Sequence, residues 1–197
     1  MIIKLKEIAE IRGRVGWKGY TINDLTDNGP LVLGANDIDE HNALNLSSAK
    51  HLTREKFEES PEIMIQKNDI LVVKVGSTIG KVCIIDKEIG EASINPNCVI
   101  VRAKNINSHY LYYFLCSPAG KSYLLNNSSS SAQSALNQKD LGNFKLELPC
   151  IEKQNKIAKV LNAFDNQIKK NNEMVQKLQC FKPASNFSEN GGMRYVG

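Results

Sequence analysis

The residues best suited to chemistry in this chain are cations and aromatics set among glycines, and side-chain amides in irregular segments. Arg12, Arg14, Trp17, Lys18 and Tyr20 surround Gly13, Gly16 and Gly19. A loop of that make-up brings guanidinium groups and backbone amides to phosphates or to guanine edges. Asn95, Asn97 and Gln133 offer amides outside regular elements, and an amide suits the N6/N7 edge of adenine. Each segment also reads as ordinary turn chemistry. Asparagine is frequent, at 21 residues. Codon bias in an AT-rich genome accounts for that count as well as adenine recognition does.

The string Lys74-Val-Gly-Ser-Thr-Ile-Gly-Lys81 is the most tempting catalytic motif. A nucleotide-binding phosphate loop needs four residues between its glycines and a Ser or Thr after its lysine. Here three residues separate Gly76 from Gly80, and Val82 follows Lys81. The string also joins two strand-like runs where a phosphate loop opens a helix. It reads as a glycine turn, or as a loop that brings Lys74, Ser77 and Lys81 to a phosphate backbone. His41, His51 and His109 are isolated and lack metal-ligand spacing. No nucleophile elbow with a Ser-His-Asp order is present, and no glycine-rich cofactor fingerprint. The sequence therefore points to a binding module and not to an enzyme or a metal site.

The elements that must position these loops follow from periodicity. The first 148 residues predict a β-rich mixed α/β (α+β) globular domain. Leu31–Leu33, Asp69–Val75, Val82–Ile85, Cys98–Arg102 and Phe144–Leu148 read as strands, and Ser108–Leu115 and Pro118–Leu125 as helices. Leu5–Ile11 is a short amphipathic segment. Thr53 is placed to cap a helical turn over the residues that follow it. After Pro149 no glycine or proline occurs until Pro183. Ile157, Leu161, Phe164, Ile168, Asn171, Val175 and Leu178 are spaced alternately by four and three, a heptad seam with one polar position. Residues 149–182 thus predict a long helix, roughly 46 Å for about 31 residues. Such a rod either packs along its own domain or pairs with another helix. The narrow, strictly heptad stripe favours pairing, with Asn171 setting register. Residues 183–197 read as a flexible tail.

Composition limits the function classes. The chain has 197 residues, 42% hydrophobic and 23% charged, with net charge +4. That excludes wholesale disorder. No apolar run approaches the roughly 20 residues that span a bilayer, and the N-terminus is charged too early for a signal peptide. Five cysteines form no CxxC pair, which argues for reduced thiols and a cytoplasmic protein. Residues 37–62 carry seven acids against three bases, and residues 150–182 three against seven. The acidic stretch is a poor phosphate-facing surface. A net charge of only +4 predicts weak DNA binding by the chain alone.

The junction between head and rod carries a specific resemblance. Leu148, Pro149, Glu152, Gln154, Ile157, Ala158, Leu161, Asp165 and Ile168 match the L-P-x-x-E-x-Q-x-x-I-A-x-x-L-x-x-x-D-x-x-I signature. This signature resembles the one that opens the conserved helix of type I restriction–modification DNA specificity subunits. Upstream landmarks are similar to that family's target recognition domain. Leu5-Lys-Glu-Ile8 resembles its opening strand, Asn36-Asp-Ile38 its N/D-I step, Lys67-Asn-Asp-Ile-Leu71 its K-G-D-I-L step and Gly76–Lys81 its G-x-x-G-K turn. Gln133 with Leu136 resembles the element before its last strand. Asn68 stands where the family has glycine, and Gln133 lacks the usual preceding Gly-x-Thr.

The resemblance implies a specificity subunit with one target recognition domain and one conserved helix, half the usual complement. It implies a chain without catalysis or bound cofactor that binds double-stranded DNA. It implies a methyltransferase partner carrying S-adenosylmethionine, which methylates adenine N6, and a restriction subunit, with ATP and Mg on the partners. A homodimer through the heptad seam would restore two recognition domains and predicts a bipartite site. The competing reading is a coiled-coil oligomerising protein whose head binds another protein. Basic residues of the first 148 positions converging on one face discriminate in favour of DNA.

Overall fold

A computed structural model describes residues 2–14, 19–127 and 135–180, the last without its side chain. The chain divides into two units, residues 1–160 and residues 161–197. The first unit is built on three small sheets. Strands β1 (Ile2–Lys4) and β9 (Lys145–Glu147) pair antiparallel. A four-stranded antiparallel sheet has the order β2 (Ala9–Arg12), β8 (Cys98–Ala103), β5 (Ile70–Val73), β6 (Val82–Ile84). A three-stranded sheet has the order β4 (Lys50–Leu52), β3 (Leu25–Leu33), β7 (Ala92–Ile94), with β3 and β7 parallel.

The four-stranded sheet is buried on both faces, and its sequence shows why. Strand β5 reads Ile-Leu-Val-Val with every residue buried. A strand sealed on both faces has no polar alternation to show. Its side chains still alternate in direction. Ile70 and Val72, with Val99 and Val101 of β8, join a core containing Leu5, Ile8, Leu111, Leu115, Leu124, Leu141 and Phe144. That core draws on helices α1 (Leu5–Ile8), α3 (Ser108–Cys116), α4 (Pro118–Asn126) and α5 (Gln138–Gly142). Leu71, Val73, Cys98 and Ile100 face the other way, against Leu33, Ile38, Ile63 and Ile94. Asp69 leads into β5 and is held by a buried bidentate pair with Arg102, both bonds 2.7 Å long.

Two expectations need correction. Leu5–Ile8 is helix α1 and not an opening strand. Both Leu5 and Ile8 are buried in one core, and the three-residue spacing that puts them there is helical. The strand predicted at Leu31–Leu33 begins at Leu25. Gly29 and Pro30 hid its first half, and the pairing register with β4 shifts between Thr26 and Leu31. The long helix expected after Pro149 is present as α6 (Ile151–Cys180), and its residues 151–160 lie within the first unit. Thr53 caps α2 (Arg54–Glu58) as expected, its side chain accepting from the Lys56 amide at 3.4 Å.

The structure gives many asparagines a backbone role. The three described non-glycine residues at positive φ are Asn42, Asn68 and Asn105. Asparagine is the residue that tolerates this region best after glycine. Asn68, at φ 69°, therefore does the work of the glycine usual in the K-G-D-I-L step. Asn107 and Asn137 accept from backbone amides as the N-caps of α3 and α5.

Candidate nucleic-acid interface

The register of the four-stranded sheet brings the predicted loops together. Arg12 ends β2 opposite Ile100 near the start of β8, and Val73 ends β5 opposite Cys98. The segment after Arg12, the turn after Val73 and the loop before Cys98 therefore leave the sheet at the same end. Direct bonds tie two of them: the Lys74 amide donates to Asn97 O at 2.8 Å. Ala135 bridges to Val75, and the Leu136 amide donates to Lys74 O at 2.7 Å.

The Gly76–Lys81 connection is a turn between antiparallel strands, at positive φ at Gly76 (103°) and Gly80 (84°). Ile79 and Lys81 donate back to Gly76 O and Thr78 O, and Gly80 donates to Val73 O. Ser77 is exposed at its tip. Lys81 is half-buried and donates from Nζ to Ile38 O at 3.0 Å. Lys74 is half-buried too, and burial pushes its ammonium pKa down. Asn95 Oδ1 accepts from the Asn97 amide at 2.9 Å, closing the Asn95–Asn97 loop on itself, while Asn97 stays exposed.

The first loop departs from expectation. The sequence counts Arg14 among the cations that reach nucleic acid. Arg14 is 8% exposed, with Nη1 3.5 Å from Ser60 Oγ. Burial lowers its pKa, opposed by Glu59 and Glu62. Its guanidinium is therefore buried and not presented to solvent. Tyr20 packs on the cluster of Val32, Leu52 and Phe57, so its ring is no free stacking platform. Arg12 is partly exposed and paired to Glu10. Trp17, Lys18 and Gln133 lie outside the described residues.

Sequence reasoning missed a cleft of about 580 Å³ along β2, lined by Lys6, Glu10, Arg12, Lys104, Gln138 and Lys139 among others. Glu10 is the one acid among its lining residues, and hydrogen bonds from Lys104 and Arg12 hold its carboxyl down at about 2. No sequence signal marks the group, because its members are scattered from residue 6 to residue 139. Among the described residues no cluster of His, Cys, Asp and Glu could hold a metal ion, and no helix is long and apolar enough to cross a membrane.

Gln154 anchors the first turns of the signature helix. Gln154 is 2% exposed. Its Nε2 donates to Pro149 O at 2.8 Å and its Oε1 accepts from the Asn107 amide at 3.0 Å. Asn107 in turn caps α3 through its Oδ1 and donates from Nδ2 to Asn155 Oδ1 at 2.8 Å. Ala158, one turn on, is also buried. Further along α6 the heptad seam is bare. Ile157 and Leu161 are half-buried, Asn171 is exposed, and Phe164, Ile168, Val175 and Leu178 are 50–66% exposed. Val160 and Met174, each one residue before a seam position, widen the stripe.

The chain is similar to known proteins. The specificity subunit of the type I restriction enzyme MjaVIII from Methanocaldococcus jannaschii is 31% identical over 121 residues, which is 61% of this chain and 28% of that protein. The EcoBI specificity subunit from Escherichia coli is 31% identical over 120 residues, 59% of this chain and 24% of that protein. The matched stretch thus spans about a quarter of those relatives. The solved structure of the HsdS subunit from Thermoanaerobacter tengcongensis has the same fold, with a TM-score of 0.60 at 18% identity over 86% of this chain and 38% of that one. The family model for the type I restriction modification DNA specificity domain matches residues 1–179, and the chain belongs to that family.

Proposed function

We propose that this chain is the DNA-reading component of a type I restriction–modification system. It selects the site, and its partners do the chemistry. A methyltransferase subunit carries S-adenosylmethionine, and a restriction subunit uses ATP and Mg. The chain itself works in the cytoplasm without catalysis or cofactor. The observation that carries the reading is the convergence of the post-Arg12, Gly76–Lys81 and Asn95–Asn97 segments on one end of the four-stranded sheet. Loops on a rigid sheet end are suited to base edges, because the scaffold fixes them and their sequence is free to vary. Ser77 and Asn97 are the described predicted residues that stand exposed there, with Arg12, Lys74, Lys81 and Asn95 behind them.

The bare stripe of α6 supports a second element of the proposal, a homodimer. Apolar side chains at heptad spacing gain about 25 cal/mol for each Å² removed from water. A second copy supplies the same stripe across a two-fold axis. Two heads then address a bipartite site with inverted halves. The test is selection by the full chain from a pool of random-sequence duplexes. The proposal expects enrichment of one short motif repeated in inverted orientation at fixed spacing. Recovery of a pool no different from the input would overturn it.

A further inference from the structure

The four-stranded sheet ends at β2, whose outer edge has no strand partner among the described residues, and the basic cleft runs along that edge. Its charged lining comes from four places in the chain: Lys6 on α1, Glu10 and Arg12 on β2, Lys104 just past β8 and Lys139 on α5. Four cations thus meet one carboxylate. Glu10 engages two of them, accepting from Arg12 Nε at 2.6 Å and pairing with Lys104 Nζ at 2.6 Å. Lys6 and Lys139 are exposed, and neither has an ion pair among the described residues. Like charges gathered at one edge repel each other, and the single carboxylate engages only two of the four. They suit an anion from outside.

The cleft is open and its cations are solvated, so a single phosphate gains little in it. A polyanion gains from many such contacts at once, through release of its counterions. The cleft also adjoins the reading end of the sheet. Arg12 is the last residue of β2, and the chain then passes Gln138, another lining residue, at Gly13. A Cβ on Gly13 would stand 3.0 Å from Gln138 Cδ, so only glycine passes there without displacing that side chain. The edge cations thus reach the end of the sheet from which the converging loops leave.

We infer that this cleft grips the phosphodiester backbone of duplex DNA beside the reading loops, with Lys6, Arg12, Lys104 and Lys139 on phosphates and Glu10 restraining the grip. The inference rests on the DNA-reading proposal, but the two separate cleanly. Phosphate contacts set affinity and position, and base contacts set sequence preference.

The test is anisotropy of the full chain on a labelled random-sequence duplex and on a selected duplex, from low to physiological salt. Lys6→Ala with Lys139→Ala should weaken both complexes equally, by on the order of tenfold, and flatten the log–log salt slope by about 2. Glu10→Gln should tighten both, since it removes a repelling charge and releases two cations. Loss of a merely structural ion pair would not produce that gain. Lys87→Ala, exposed and outside the cleft, should change neither. If wild type binds and the double variant keeps its affinity and slope, the cleft assignment falls and the reading loops stand. If wild type binds no duplex even at low salt, both fall. Tighter binding of wild type to duplex RNA of the same sequence would overturn the assignment to DNA.

Discussion

Gln154→Ala should unseat the start of the signature helix. The side chain is 2% exposed and satisfies two backbone groups, Pro149 O at 2.8 Å and the Asn107 amide at 3.0 Å. Alanine leaves both without that partner. A buried polar group stripped of its bond costs about 1–3 kcal/mol, so two give about 2–4 kcal/mol once some water enters. Asn155→Ala removes only an exposed bond to Asn107 Nδ2 and should cost less than about 1 kcal/mol. Urea denaturation followed by circular dichroism measures both. Amide hydrogen exchange at Asn107 localises the effect, which should be a large loss of protection in Gln154→Ala. A loss below about 1 kcal/mol, or unchanged protection at Asn107, would refute the reasoning that this amide clamps α6 to the cap of α3.

Other outcomes follow from the same geometry. Ile168 is 55% exposed on α6, so Ile168→Ala forfeits about 1 kcal/mol of new burial per copy, about 2 kcal/mol per dimer, and should raise the dimer Kd about 30-fold by sedimentation equilibrium. An unchanged Kd would remove Ile168 from the seam. Asn68→Ala places a Cβ-bearing residue without a side-chain amide at φ 69° and should destabilise by about 1–2 kcal/mol, while Asn68→Gly should be neutral or stabilising in the same urea assay. Burial pushes the Cys83 and Cys98 thiols up to about 12, so a thiol reagent at neutral pH should label exposed Cys150 at once and those two only on unfolding. The Glu10 carboxyl, held at about 2 against an ordinary 4.5, is a depressed acid. Its contribution to stability is present above 4.5 and lost as pH falls towards 2. Carboxyl NMR titration should show that value move up in Lys104→Ala.

The parts that could be read from sequence are those fixed by local pattern. The all-apolar β5, the uninterrupted α6 and the capped α3 carry their own signals, and the glycine turn at residues 76–80 declares its backbone. Short elements fixed by distant partners do not. Strand β7 has three residues and exists because it pairs parallel with β3. Helix α1 has four residues and looks like strand until Leu5 and Ile8 share a core. The site divides the same way. Three loops could be named from composition, but only sheet register shows that they leave one end. Arg14 looked like its neighbours until burial set it apart, and the basic cleft unites residues with no sequence pattern between them. Gln154 could be named from its signature, but its two backbone partners could not.

The central claim is that two heads, joined through α6, read one duplex in inverted orientation. Sedimentation velocity of the full chain with its selected duplex, at a ratio spanning one to two chains per duplex, tests this most directly. The account predicts cooperative loading to two chains per duplex, and loss of both when either half-site is scrambled. A stable complex of one chain on one asymmetric site, unaffected by scrambling on either side, would contradict it.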